Sequence, residues 1–219
     1  MTQQQAGARR PLKSRNWTGA KRAAAWLAPR RVSPNAISVA SIAMALVAAA
    51  GLLGARYAPD WLVRSGCYLV AILGIQGHLI CNLLDGMVAV EGGLGSKSGE
   101  LYNDLPDRLS DPIILVAAGY AANPVHGPVL GWTAALLAVI TAYVRVLGKS
   151  IGSHGYFIGP MAKQHRMAVV TACCALSAAG TRWSWDRWIL DAGLVLIAFG
   201  CLATIWRRLC RIVQDLEAK

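Results

Sequence analysis

Acidic residues are concentrated in one stretch of an otherwise apolar and basic chain. Residues 82–111 hold six of the eleven acidic side chains, namely Asp85, Glu91, Glu100, Asp104, Asp107 and Asp111. A charged group at membrane depth costs roughly 2.5–3.5 kcal/mol on insertion scales, so acids beside apolar spans need a compensating partner. Oxygen ligands without His or Cys pairs favour a hard divalent cation over zinc. The stretch therefore predicts a metal site, and an acidic loop whose residues only cap helices is the alternative.

Two helix faces have to present these side chains. Before the stretch, His78, Asn82 and Asp85 recur at i, i+4 and i+7 and share one face of a helix. After it, one stripe of a second helix holds Glu100, Asn103, Asp104, Asp107 and Asp111. A glycine-rich connection with Gly92, Gly93, Gly95 and Gly99 lets the two stripes meet. We expect His78 itself to be a packed hydrogen-bonding group, with a functional role as the alternative.

The composition indicates an integral membrane protein. Of the 219 residues, 55% are hydrophobic and only 15% are charged, which is too apolar for an ordinary soluble domain. The net charge of +11 would suggest nucleic acid as the partner of a soluble protein. Here, however, the basic residues flank apolar runs, so we expect a lipid bilayer and no nucleic acid.

The apolar runs predict an all-α fold, a polytopic bundle of six transmembrane helices. A helix crosses the hydrocarbon core with about 20 residues, and uncharged runs cover residues 32–55 and 65–84. The run at residues 112–144 is too long for one span and breaks at the turn-forming residues 123–128, so the third span begins near Pro106. The remaining spans are expected at residues 129–147, 161–180 and 188–206.

Basic residues predict the orientation and the domains. With six spans, 18 of the 22 lysines and arginines lie on one side of the membrane. Because basic residues are enriched on the cytoplasmic side, this predicts that both termini and the acidic stretch are cytoplasmic. The expected location is the inner membrane of a bacterium. Residues 1–33 read as a basic segment with an amphipathic surface helix, in which Ala20, Ala24 and Leu27 recur at helical spacing; a solvated tail is the alternative. Residues 34–208 form the expected catalytic domain and residues 209–219 a cytoplasmic tail.

The spacing of the acidic stretch resembles the signature of the CDP-alcohol phosphatidyltransferases. That signature is Asp-x-x-Asp-Gly-x-x-Ala-Arg, then eight or nine residues, then Gly-x-x-x-Asp-x-x-x-Asp. The matching positions are Asp85, Gly86, Ala89, Gly99 and Asp107. Asn82 and Asn103 stand where the family has aspartate, and Val90 stands where it has arginine. The segment at residues 33–38, Ser-Pro-Asn-Ala-Ile-Ser, also resembles the family's entry to its first helix.

The resemblance implies a metal-dependent transferase of phospholipid synthesis, active as a homodimer. Its donor would be CDP-diacylglycerol or a related CDP-alcohol, whose phosphatidyl group passes to an acceptor hydroxyl with release of CMP. Two ions, Mg²⁺ or Mn²⁺, would be held by Asn82, Asp85, Asn103, Asp107 and the neighbouring Asp104. The nucleotide would lie against Asp85, Gly86, Ala89 and Gly99. Asp107 would accept the proton of the acceptor hydroxyl.

Four basic residues between the fourth and fifth spans are candidates for binding phosphate or a phosphorylated acceptor. They are Arg145, Lys149, Lys163 and Arg166, and a role in setting topology is the alternative. The acceptor itself stays open among glycerol phosphate, inositol phosphate, serine, choline and a second phospholipid.

The departures from the signature define the competing hypotheses. Asn82 and Asn103 each remove a negative charge from the site. We therefore expect weak metal binding, or the binding of a single ion until the substrate diphosphate arrives. Asn82→Asp is expected to tighten metal binding. The same departures keep open an inactive relative that serves as a membrane scaffold. A cation transporter is a third hypothesis, disfavoured because the acids gather at one end of the spans.

Overall fold

The computed structural model describes residues 18–30, 32–91, 93 and 98–218, and only the backbone of residues 28, 91, 100 and 103. Seven α-helices occupy most of this part of the chain: α1 (Thr18–Leu27), α2 (Pro34–Tyr57), α3 (Trp61–Glu91), α4 (Gly99–Ala121), α5 (Gly127–Ser150), α6 (Lys163–Gly180) and α7 (Asp186–Glu217). Short 3₁₀ turns, Ala28–Arg30 and Thr181–Trp183, follow α1 and α6. The described residues contain no β-strand, and the predicted all-α class is confirmed.

Four of these helices are long and apolar enough to cross a membrane. They are α2, α3 as far as Val90, α5 and α7, in agreement with an integral membrane protein. Helices α4 and α6 are not among these candidate spans. Helix α4 contains several acids and Arg108, and α6 begins with a polar turn. The count of six spans therefore stays a prediction.

Two helices extend further than the apolar runs that predicted them. The second span was expected to end at residue 84, but α3 continues to Glu91. The third was expected to begin near Pro106, but α4 begins at Gly99 and contains both Pro106 and Pro112. Hydropathy reports where a helix leaves lipid, whereas backbone hydrogen bonds carry it on through polar residues. Both halves of the acidic stretch therefore lie on regular helix.

Small residues bring the helices together. Helix α2 packs against both α3 and α4, which touch each other much less. A Cβ atom added to Gly51 of α2 would lie 2.6 Å from the backbone nitrogen of Ala71 on α3, and one added to Gly131 of α5 would lie 2.8 Å from the Cα of Gly119 on α4. Backbones this close leave no room for side chains, as at interfaces between transmembrane helices.

Helix α1 is attached to the end of α3 by its alanines. Ala20 and Ala24 are buried in an apolar cluster with Leu83, Met87 and Val88. Its basic residues and Trp26 are exposed on the other side. The apolar side of α1 thus faces protein, and the predicted role of its basic side on a membrane surface stays a prediction.

Candidate active site

Asp85 is buried at the cytoplasmic end expected for α3 and is held by hydrogen bonds. The carboxylate of this residue, which is 3% exposed, accepts a hydrogen bond from Ser38 Oγ of α2 at 2.6 Å. The backbone N–H of Gly86 donates to its other oxygen at 2.5 Å. Sequence reasoning missed Ser38, although it belongs to the Ser-Pro-Asn-Ala-Ile-Ser segment that the family resemblance singled out.

Asn82 lies one turn before Asp85 and contacts His78. The Nδ2 of Asn82 is 3.2 Å from Nε2 of His78, whose Nδ1 lies 3.0 Å from the carbonyl oxygen of Ser41. The other end of the Asn82 amide, Oδ1, is buried and has no hydrogen-bond partner in the protein. An unpaired acceptor of this kind costs about 1–3 kcal/mol unless something else contacts it.

The three aspartates of α4 each face a base. Asp104 receives hydrogen bonds from Arg145 Nη2 of α5 at 3.1 Å and pairs with Arg108 at 3.2 Å. The same helix carries two further ion pairs with α6, namely Asp107 with Lys163 and Asp111 with Arg166. The buried Asp111–Arg166 pair is 2.5 Å long and joins α4 to α6.

Three helices converge on these groups. Asp85 and His78 lie on α3, Asp107 and Asp111 lie on α4, and their partners Lys163 and Arg166 lie on α6. His78 Nε2 also lies 3.9 Å from Asp111 Oδ1. The helices that carry Asp85 and Asp107 therefore meet at His78 and Asp111, within two turns of each of these two acids.

The remaining predicted residues lie around this centre. Gly86 and Ala89 are partly buried on α3, Val90 is exposed, and Gly99 begins α4. Lys149 is exposed in the last turn of α5. Asn103 lies on α4, and its side chain is outside the described part of the chain, as are Gly92 and Gly95.

The connection between α5 and α6, which leads to Lys163 and Arg166, is fastened to α7. Thr204 Oγ1 accepts a hydrogen bond from the backbone N–H of Met161 at 2.9 Å. Arg208, which is 4% exposed, donates to the carbonyl oxygens of Ile158 at 3.1 Å and Thr141 at 2.5 Å. A long-chain donor that bridges two carbonyl oxygens fixes the loop relative to α5 and α7.

The last turns of α7 hold the beginning of the same loop. Asp215 accepts hydrogen bonds from Ser153 Oγ at 2.9 Å and from the Tyr156 hydroxyl. Sequence reasoning assigned this region to a cytoplasmic tail and missed its role, because nothing in the local sequence links it to residues some sixty positions earlier.

The donor set fits a hard divalent cation, with fewer acids than the signature implies. Among the described residues, no three His, Cys, Asp or Glu side chains are grouped closely enough to hold an ion by themselves. Asn82 Oδ1, however, is a buried oxygen without a partner, one turn from Asp85. Among the described side chains, four acids and four bases lie at this centre, and their formal charges sum to zero: Asp85, Asp104, Asp107, Asp111, Arg108, Arg145, Lys163 and Arg166.

Two solved structures of one enzyme have the same fold as this chain. Both are crystal structures of the phosphatidylinositol phosphate synthase of Mycobacterium tuberculosis, one in complex with manganese and citrate and one with CDP-DAG bound. The first has a TM-score of 0.68 and 17% identity, and the match covers 88% of each chain. The second has a TM-score of 0.64 and 19% identity, covering 88% of this chain and 92% of the other. No protein-family model and no curated protein matches the sequence.

Proposed function

We propose that this protein is a phosphotransferase that acts on CDP-linked alcohols in a membrane. It would transfer the phosphatidyl or similar substituted phosphate group of a donor such as CDP-diacylglycerol to an acceptor hydroxyl. The observation that carries the proposal is the contact of α3 with α4 at His78 and Asp111, 3.9 Å apart, within two helical turns of Asp85 and Asp107. It is supported by a fold shared with a CDP-alcohol phosphatidyltransferase that has been crystallised with CDP-DAG.

The chemistry assigned to the chain is an in-line displacement at phosphorus. An oxygen of the acceptor forms a bond to the phosphorus of the phosphatidyl group as the bond from that phosphorus to the oxygen of CMP breaks. Asp107 takes the hydroxyl proton, and CMP leaves with the bonding electrons. A divalent cation held by Asn82, Asp85, Asp107 and, from its position on α4, Asn103 supplies charge neutralisation of the diphosphate when bound. Gly86, Ala89 and Gly99 bind the nucleotide in this proposal.

The bases have a place in the same proposal. Arg145 and Lys163 keep part of their surface exposed beside Asp104 and Asp107, so they are suited to receive phosphate oxygens. Lys149 extends this basic surface at the end of α5. Arg166 is buried against Asp111 and also donates to the Met161 carbonyl oxygen, so its main contribution is to hold α6 in place.

A neutral centre favours one tightly associated cation that arrives with the donor. Two ions would bring four positive charges to a set of acids that are already paired with bases. The diphosphate contributes the missing negative charge, and Mg²⁺ and Mn²⁺ both suit oxygen ligands. The proposal also retains the six spans, the cytoplasmic active site and the homodimer expected from the sequence.

The test is release of CMP by the full-length protein in liposomes that contain CDP-diacylglycerol. Mg²⁺ or Mn²⁺ is added, and glycerol phosphate, inositol phosphate, serine, choline and phosphatidylglycerol are offered as acceptors in turn. The proposal expects CMP release that depends on both the cation and one acceptor, and that is abolished by EDTA.

The scaffold hypothesis has one observation in its favour, since every acid of α4 in the centre is already paired with a base. Absence of CMP release with every acceptor, from protein that is folded and binds no Mn²⁺ in the presence of CDP-diacylglycerol, would contradict the transferase and leave the scaffold.

A further inference from the structure

His78 and Asn82 form a hydrogen-bonded pair on α3 whose geometry fits a neutral imidazole. The Ser41 carbonyl oxygen, 3.0 Å from His78 Nδ1, can only accept, so Nδ1 carries a proton. The Asn82 Nδ2 group, 3.2 Å from Nε2, can only donate, so Nε2 is the acceptor nitrogen of a neutral imidazole. His78 is fully buried, and it therefore has no water to exchange for either partner.

This arrangement leaves one atom of the Asn82 amide for another partner. With Nδ2 held by His78, the amide oxygen Oδ1 is left without a protein partner although it is buried. An aspartate at this position would instead place a carboxylate oxygen against the lone pair of Nε2 unless the imidazole took up a second proton. The histidine is therefore matched to an asparagine rather than to the aspartate of the resembled signature.

We infer that His78 is a positioning residue for the cation site: its Nε2 holds the Asn82 amide nitrogen so that Oδ1 is left to bind the ion. The inference rests on the proposed function and deepens it, because it gives Asn82 a defined orientation that an unsupported amide would lack. Residues that orient a metal ligand typically change metal affinity about 10- to 100-fold when removed.

The test is a double-mutant cycle on Mn²⁺ binding. Bound Mn²⁺ is measured by EPR titration of the full-length protein in nanodiscs with CDP-diacylglycerol, for wild type, His78→Ala, Asn82→Asp and the double variant. His78→Ala is expected to weaken binding about tenfold or more with Asn82 present. In the Asn82→Asp background the same change is expected to have no weakening effect, because either carboxylate oxygen serves as a ligand and the clash with Nε2 is gone. Equal weakening in both backgrounds would overturn the inference.

His78→Gln is the matched control, since a glutamine carbonyl oxygen also accepts a hydrogen bond from Asn82. It should keep most of the Mn²⁺ affinity, and a loss as large as that of His78→Ala would contradict the acceptor role. The tautomer of His78 is measured in the metal-free wild type from the ¹⁵N chemical shifts of its side chain. A protonated Nε2 would overturn the inference. This measurement does not depend on whether the alanine variant folds.

The outcome also separates this inference from the proposed function. A wild type that binds Mn²⁺ and releases CMP, with no coupling between positions 78 and 82, would remove only the role of His78. A wild type that neither binds Mn²⁺ nor releases CMP would overturn both.

Discussion

Acids and bases from different helices form ion pairs at the candidate active site. Asp107 pairs with Lys163 of α6, and Asp104 pairs with Arg145 of α5. In the proposed reaction, a cation bound to a diphosphate would carry both kinds of charge, so the acids would exchange a base for the ion and the bases would exchange an acid for phosphate oxygens. Before substrate binds, the acids and bases that we assign to substrate binding stabilise one another. Few charges therefore have to be buried without a partner, either before or after substrate binds.

Ser38 is expected to orient Asp85 for metal binding. Ser38→Ala removes the 2.6 Å hydrogen bond to the buried carboxylate, so we predict that Mn²⁺ affinity falls about tenfold. The measurement is an EPR titration in the presence of CDP-diacylglycerol. Ser41→Ala is the control, because the Ser41 hydroxyl donates only to a backbone carbonyl oxygen of its own helix. Equal affinities of the two variants would contradict this role for Ser38.

The spacing of single residues identified candidates for this site but could not identify their partners. Asp85 and Asp107 were identified from the signature, because periodicity along a helix is a local property. Their partners were not, since Ser38 is 47 residues from Asp85 and Arg145 is 41 residues from Asp104. Pairing at such separations depends on how helices pack, and one sequence carries no direct record of it.

At the scale of elements, the connection between α5 and α6 and the end of α7 form one unit. Thr204, Arg208 and Asp215 lie along α7 and hold the loop that leads to Lys163. The sequence predicted the apolar part of α7 correctly but ended the span at residue 206, where hydropathy falls. The helix continues because its polar residues have partners in the loop, which hydropathy does not reveal.

Loss of Asp215 is expected to loosen this loop. Asp215→Ala removes the acceptor shared by Ser153 and Tyr156. We predict that amide hydrogen exchange becomes faster at residues 151–158, with little change in α2 and α3, because local opening requires only the broken contacts. Glu217→Ala, at an exposed position on the same turns of α7, is the control and should leave exchange unchanged. Unchanged exchange in Asp215→Ala would show that the loop is held without it.

At the scale of the whole molecule, a second polar cluster lies at the end of the bundle opposite to the candidate active site. Tyr68 donates a hydrogen bond to Asp186 at 3.0 Å, and Arg64 lies 3.8 Å from the same carboxylate. Tyr68 and Asp85 are both on α3, about 25 Å apart at helical rise. The cluster ties the start of α3 to the start of α7, so it stabilises the bundle far from the chemistry.

A substitution in this cluster should therefore lower stability without changing activity. Tyr68→Phe removes a hydrogen bond to a buried carboxylate, and we predict a loss of about 2 kcal/mol in stability. The measurement is the thermal unfolding midpoint in detergent, with the partly exposed Tyr120→Phe as the control. CMP release per folded molecule should be unchanged in both variants. A midpoint equal to that of the wild type would mean that Asp186 is stabilised by other groups.

The central claim is that Asp85 and Asp107 belong to one catalytic centre in which Asp107 takes the proton of the acceptor. The most direct measurement is CMP release from CDP-diacylglycerol liposomes by Asp107→Asn, with the acceptor and cation that the wild type uses. We predict a fall of about 10²- to 10⁴-fold in turnover, and Asp60→Asn, in the turn before α3, should match the wild type. Turnover by Asp107→Asn equal to that of the wild type would contradict the account.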